Sequence, residues 1–332
     1  MWKSILRFRP AGDHRHNLWA STAVVITLLV FHWSTDPDAC GSDPVSSVRP
    51  SARFLLPQVT IASTTTVVQS VGEPVPSGTS ETPSTEPAAP RMPGAEPLTG
   101  RWALESSLSL LELGRERLQK MSGYSVTFAR QERIDGELLD PQTIKLKVRH
   151  EPFSLYMKWT EGDKGRQLIY VHGQNEGQVL IQPGGFVGRA TGALPFAPDH
   201  PKILAESRYP ATMAGFLAMT DTIAQHHRDD LKLTQGGLSE IRGDQSFEER
   251  PCYLTTLCYE NETINPIYRK SMIYIDKELS IPVCVRNYTW IKGQKVVEDN
   301  EESLIESYSF TGMEAAVQLS DNDFTKSQYK MR

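Results

Sequence analysis

The chain has 332 residues, a formal net charge of -5, 39% hydrophobic and 23% charged residues. That balance is ordinary for a soluble fold and offers no basic stripe, which argues against a nucleic-acid partner. Four cysteines without a C-x-x-C pair are too few for a disulfide scaffold and wrongly spaced for structural zinc.

Residues 1–17 form a basic N-terminus with Lys3, Arg7, Arg9 and Arg15. Residues 18–33, LWASTAVVITLLVFHW, carry no charge, and Asp36 and Asp38 follow. A basic flank before and an acidic flank after is the positive-inside pattern, so the rest of the chain is expected outside the cytoplasm, in a periplasm or cell envelope. The run is short against the ~20 residues of a spanning helix. It fits a single-pass signal anchor or a signal h-region. No clear small-x-small cleavage site follows, which favours the anchor and makes the membrane a partner. Cys40 follows Pro37-Asp38-Ala39, which lacks the apolar residue of a lipobox.

Residues 34–100 change composition. Pro74, Pro76, Pro83, Pro87, Pro90, Pro93 and Pro97 alternate with Ser, Thr, Glu and Ala. Proline blocks ladders and helices, and the polar residues give nothing to bury. The segment reads as a disordered linker that holds a domain away from a membrane. The short apolar patch Phe54-Leu55-Leu56 interrupts it.

Residues 101–332 are the expected folded domain, large enough for one core. Leu104, Leu108, Leu111, Leu118 and Met121 recur at helical spacing, and Gly123 ends that helix. The period then changes to two. Tyr124, Val126 and Phe128 alternate with Ser125, Thr127 and Ala129, and Asp135-Gly136 reads as a hairpin turn. Ile144, Leu146 and Val148 continue the pattern, as do Phe153, Leu155, Met157 and Trp159, then residues 166–172 and 178–182. One antiparallel sheet with one dry face explains this alternation.

A loop-rich stretch, 183–210, precedes a second helix over 212–230, with Thr212 as N-cap and Met213, Phe216, Leu217, Ile223, Ala224 and His227 on one face. Strands follow over 238–247, 250–260, 270–276, 281–290 and 304–310. So few helices cannot cover so large a sheet, which must curl. The expected class is α+β: a large curled antiparallel sheet, an incomplete β-barrel, with a few covering helices behind a membrane segment and linker.

Cys252 and Cys258 share a strand face roughly 20 Å apart and cannot bond. Cys284, on another strand, has the option of either, and three buried thiols is the plainer reading. His226-His227-Arg228-Asp229-Asp230 reads as a solvated helix end, because adjacent helical residues point about 100° apart and cannot easily share a metal. His150-Glu151 before Pro152 reads as a structural turn. His172 and His200 have no evident partner. Neither H-E-x-x-H nor a G-x-S-x-G elbow is present. No metal, cofactor or catalytic residue is expected. The sequons at Asn261 and Asn287 are discounted, the second lying inside a strand.

The segments LELGRERLQKMSGYSVTFARQERIDGELLDPQ, KVRHEPFSLYMKW, ESRYPAT and YRKSMIYIDKELSIPVCV resemble the bacterial domain-of-unknown-function family 1571, over roughly residues 108–332. More remotely, the order helix, meander, helix, meander is similar to the lipoprotein carrier and outer-membrane lipoprotein-sorting (LolA/LolB-like) proteins. That resemblance implies an incomplete barrel around an apolar cavity for acyl chains.

Val126, Phe128, Ile144, Leu146, Leu155, Met157 and Trp159 share one face and are the candidate lipid-binding residues. They are packed core, or part of their face stays unfilled for an acyl chain. Each buried CH₂ of such a chain would contribute about 0.8 kcal/mol. The expected function is a membrane-tethered, non-catalytic envelope protein that binds a lipid or lipoprotein in a cavity of several hundred Å³. The alternative is a structural or protein-interaction module without a cavity, docking through sheet edges or loops.

Overall fold

The computed structural model describes residues 91–94, 96–294, 296–315 and 317–332. The expectations for residues 1–17, 18–33 and most of 34–100 lie outside the described residues. Among those described, no helix is long and apolar enough to cross a membrane.

In chain order the elements are β1 (Leu98–Thr99), α1 (Arg101–Lys120), β2 (Gly123–Ile134), β3 (Glu137–Leu138), β4 (Gln142–Arg149), β5 (Ser154–Glu161), β6 (Gln167–Val171) and β7 (Val179–Gln182). Then come α2 (Gly185–Thr191), β8 (Leu194–Phe196), α3 (Pro201–Leu204) and α4 (Phe216–Asp230). A second run of strands closes the fold: β9 (Gly237–Phe247), β10 (Arg250–Tyr259), β11 (Lys270–Asp276), β12 (Pro282–Tyr288) and β13 (Leu304–Glu314).

All 13 strands join one sheet, in the order β1-β9-β10-β11-β12-β13-β2-β4-β5-β6-β7-β8, with β3 folded back on β2. Two antiparallel meanders meet where β13 pairs β2. The ends, β1 and β8, pair with different neighbours and not with each other, so the barrel stays open. Asp135 and Gly136 both take positive φ, 49° and 85°, as a tight hairpin turn requires.

Strand register turns the period-two pattern into rows across one face. Phe310, Phe128, Ile144 and Trp159 lie side by side on β13, β2, β4 and β5. Val126, Leu146, Met157, Leu168 and Ile181 form the next row, and Tyr124, Val148, Leu155 and Tyr170 a third. All belong to one buried cluster with Phe216 of α4. The rings of Tyr124, Phe216, Phe310 and Phe128 follow one another at 5.1, 4.5 and 4.7 Å between centroids. Beyond them, α1 and α4 pack Leu104, Leu111, Ile223 and Ala224 against Ile241, Leu257, Ile273 and Val285.

Several expectations need correction. The sheet does not have a single dry face: Tyr156, Ile169 and Val171 are buried on its other side under Phe324 and Met331. The C-terminal residues return across that side, with Tyr329 stacked on Tyr156 at 3.5 Å and Asp321 and Asp323 bonded to Arg149 and Lys147. The stretch 183–210 is not plain loop, since it holds α2, β8 and α3. Thr212 lies in a 3-10 turn (Ala211–Met213), and Gly215 caps α4 instead. Gly215 has φ 116°, and a Cβ there would stand 2.5 Å from the Tyr124 hydroxyl. That hydroxyl accepts the Phe216 N–H at 2.8 Å.

His227 is not solvated: it is fully buried and bonded to Ser107 at 2.9 Å. Cys252, Cys258 and Cys284 are free and buried. Pairing of Cys284 with either other cysteine is ruled out by register. Strand β11 lies between β10 and β12, which sets them about 10 Å apart, beyond the ~7 Å reach of a disulfide. The folded chain also begins before Arg101. Leu98 and Thr99 pair with Ile241 and Glu240, and Ser106 Oγ donates to the Arg91 carbonyl.

Candidate functional site: an amphiphilic cavity

After β8 the chain crosses the inner face as α3, residues 205–210 and the turn before α4. This cover does not meet the sheet everywhere, and a cavity of about 130 Å³ remains beneath it. The sheet supplies Phe128, Met157, Trp159, Leu168, Ile181 and Phe310; the cover supplies Ile203, Ala211, Met213 and Met219. The volume is smaller than the several hundred Å³ expected.

Of the candidate residues, Phe128, Met157 and Trp159 line this cavity. Val126, Ile144, Leu146 and Leu155 lie in the packed cluster behind it and are not part of its wall. Trp159 is held by its ring: Nε1 donates to Gln142 Oε1 at 2.9 Å, and the Arg166 guanidinium lies 5.0 Å above it.

One end of the cavity is polar, and register explains how. Asn287 on β12 pairs with Glu306 on β13, which pairs with Glu132 on β2. Three adjacent strands thus carry one polar row inward. Both carboxylates are almost wholly buried, at 1% and 3% exposure. Like charges directly opposite on neighbouring strands repel unless each is compensated. Glu306 accepts from Arg208 Nε at 2.6 Å, Tyr268 Oη at 2.9 Å and Asn287 Nδ2 at 2.6 Å. Glu132 accepts from Tyr308 Oη at 2.5 Å and Arg130 Nη1 at 3.2 Å. Burial, and then the Glu306 charge, push the Tyr268, Tyr308 and Tyr209 phenols well above their ordinary range. They therefore stay protonated and donate.

This end of the site escaped the sequence reading, though a signal existed. Glu132 has the same strand parity as Phe128, and Glu306 the same as Phe310. A carboxylate on the apolar parity of a strand faces the core. An S-x-x-K spacing does occur, at Ser327 and Lys330, against the expectation that no serine-nucleophile motif is present, but it has no such consequence. Both residues are exposed on the C-terminal segment, and neither lines this cavity. His150 bonds the Met121 carbonyl at 2.9 Å, and His200 caps α3 by accepting the Lys202 N–H. Among the described residues no group of three His, Cys, Asp or Glu is placed to hold a metal.

The profile of a family described as "Protein of unknown function (DUF1571)" matches residues 121–331. No curated protein matches the chain. Solved structures similar to it include an outer membrane lipoprotein-sorting protein domain from Vibrio parahaemolyticus, 12% identical at TM-score 0.33, covering 68% of this chain and 99% of that one. A LolA superfamily protein from Nitrosomonas europaea is 12% identical at TM-score 0.29, covering 67% and 98%. The lipoprotein LppX from Mycobacterium tuberculosis is 11% identical at TM-score 0.36, covering 65% and 98%. Similarity at this level carries no functional argument; the strand order and cavity above stand on their own.

Proposed function

We propose that this chain, which belongs to the DUF1571 family of proteins of unknown function, is a non-catalytic envelope protein that holds an apolar lipid chain in its open barrel. The observation that carries this reading is the cavity beneath residues 201–219, walled by Phe128, Met157, Trp159 and Leu168. At about 130 Å³ it falls below the roughly 300–1,000 Å³ of sites for drug-sized ligands. In this conformation it takes a segment of one acyl chain, of a free lipid or of a lipoprotein. At about 0.8 kcal/mol per buried CH₂, even a short segment contributes usefully. The basic and acidic flanks of residues 18–33 support an anchor that leaves the barrel outside the cytoplasm.

Native mass spectrometry of the full chain extracted from membranes in non-ionic detergent tests this. The reading expects a retained lipid mass that disappears in Met157→Trp. A wild-type chain that retains no lipid, even after incubation with membrane lipids, refutes it.

A second reading, a protein-docking module, is favoured by one feature. Phe186 of α2 is 77% exposed, with Val187 and Leu194 also exposed, beside the terminal strand β8. Apolar side chains at a sheet edge suit a partner strand or helix.

A further inference from the structure

The polar end of the cavity is rich in acceptors, and among the described residues its arginines are all committed, which leaves His226, edge-on to Tyr268 at 6.0 Å, as the remaining side chain there able to carry a positive charge. Arg208 is bound to Glu306 at 2.6 Å, Arg130 to Glu132 at 3.2 Å, and Arg166 to Glu206 at 2.7 Å. The Tyr268 and Tyr308 hydroxyls spend their hydrogens on Glu306 and Glu132. A phenol has one hydrogen, so toward anything else these groups present lone pairs.

Asn287 adds an acceptor with nothing to accept from. Glu306, paired with an arginine, only accepts. The Asn287 atom 2.6 Å from it is therefore the amide nitrogen, and the other end is fixed as Oδ1. That Oδ1 is buried and has no partner, on a residue only 8% exposed. Asn287 lines this cavity and also a smaller pocket of about 30 Å³ that shares His226 and Tyr268 with it. Such a pocket has room for a hydroxyl, and an unpartnered buried carbonyl is costly to leave empty.

An anionic head group would enter this end against two buried carboxylates, an orphan carbonyl and three arginines already neutralised. A hydroxyl would meet a ready acceptor. We infer that the cavity selects lipids whose polar end is an uncharged hydrogen-bond donor, a long-chain alcohol or a glyceride hydroxyl, over anionic lipids such as fatty acids. The inference rests on the chain-binding reading and specifies its ligand class.

The test offers the full chain, in non-ionic detergent at pH 8, equimolar 1-hexadecanol, hexadecanoate and hexadecane, and counts bound species by native mass spectrometry. The alcohol should exceed hexadecanoate and hexadecane by about tenfold or more. In Asn287→Ala its advantage over the alkane should largely vanish. Hexadecanoate bound as well as the alcohol overturns the inference, as does an alcohol that binds no better than the alkane. Both leave the chain-binding reading standing. An alcohol advantage unchanged in Asn287→Ala overturns the role of that carbonyl. If none of the three is retained, the chain-binding reading falls, and the inference with it.

Discussion

Ser107 of α1 and His227 of α4 meet through Oγ and Nε2 at 2.9 Å, and Thr255 of β10 donates to the same Ser107 Oγ at 3.0 Å. All three side chains are buried. One hydroxyl thus ties both long helices to the sheet. A serine beside a histidine has the parts of a nucleophile and its base. Ser107 is fully buried and bonded on both sides, to His227 and Thr255, so the contact reads as a structural clasp.

The clasp makes stability depend on pH. Burial, with a smaller contribution from His226, lowers the His227 imidazole to about 3. Unfolded, the same group titrates near 6.5. The unfolded state therefore binds the extra proton, and the stability that neutral His227 contributes is complete above about pH 6.5 and lost as pH falls towards 3. The slope is about 1.4 kcal/mol per pH unit. Asp230 on the same helix, raised by burial, works in the opposite direction. Urea midpoints measured from pH 7.5 to 4 should fall for the wild type and fall less for His227→Gln. Parallel curves would show that His227 is not the group responsible.

Gly114 sits in the middle of α1, where alanine is the better helix former by about 1 kcal/mol. Its neighbour decides otherwise. A Cβ at Gly114 would lie 2.0 Å from the Ser280 carbonyl in the turn between β11 and β12. Gly114→Ala should destabilise the fold by about 1–3 kcal/mol as the helix is pushed off the sheet. Gln119→Ala, on the exposed side of α1, should be neutral or slightly stabilising. Thermal midpoints of the two variants check the sign.

The strands were legible in the sequence because Val126-x-Phe128 and Leu155-x-Met157-x-Trp159 alternate over enough residues for parity to show. Parity gave the inward face, and register then assembled it into rows. What parity cannot give is coverage. Nothing local to Tyr156 or Ile169 says that Phe324 and Met331, over 150 residues later, will cover them. The same holds for His227, whose burial comes from α1 and β10 rather than from its own helix end. The polar row was hidden for another reason. Parity points Glu132 and Glu306 inward, but only strand pairing sets them beside each other with Arg208 and Tyr308.

That row should be fragile to one-sided change. Glu306→Ala leaves the half-buried Arg208 guanidinium and the Tyr268 hydroxyl without their acceptor. Breaking a buried pair from one side costs about 3–5 kcal/mol, at the low end here because Arg208 keeps some solvent. Tyr308→Phe removes a single donor to Glu132 and should cost about 1–3 kcal/mol. Equilibrium denaturation of both gives the order. A Glu306→Ala chain as stable as Tyr308→Phe would mean that the carboxylate pair is not the strained centre of the row.

The export expectation is separately testable. Alkaline phosphatase fused after residue 33 should be active, because it folds only outside a reducing cytoplasm. An active cytoplasmic reporter at the same junction would reverse the orientation read from Lys3, Arg7, Asp36 and Asp38.

Met157 separates a functional cavity from an accidental gap. Its side chain is buried between Leu146 and Leu168 in the sheet row, yet one side borders the cavity. Truncation there forfeits contacts on two flanks but not on the third. Met157→Ala should therefore cost about 2 kcal/mol, the low end of the range for a buried methionine. Met157→Trp grows into the empty side and should cost no more than the alanine, since the added ring has room. If the space is a binding site, the tryptophan abolishes lipid retention in a chain that remains folded, while the alanine keeps it. If the space is only imperfect packing, neither variant changes what co-purifies, and the tryptophan gains stability by filling the gap. Denaturation midpoints and native mass spectra of the two variants, recorded on the same preparations, distinguish these outcomes. Strong destabilisation by both, with no lipid on the wild type, would show Met157 to be tightly packed core and leave the edge-docking reading ahead.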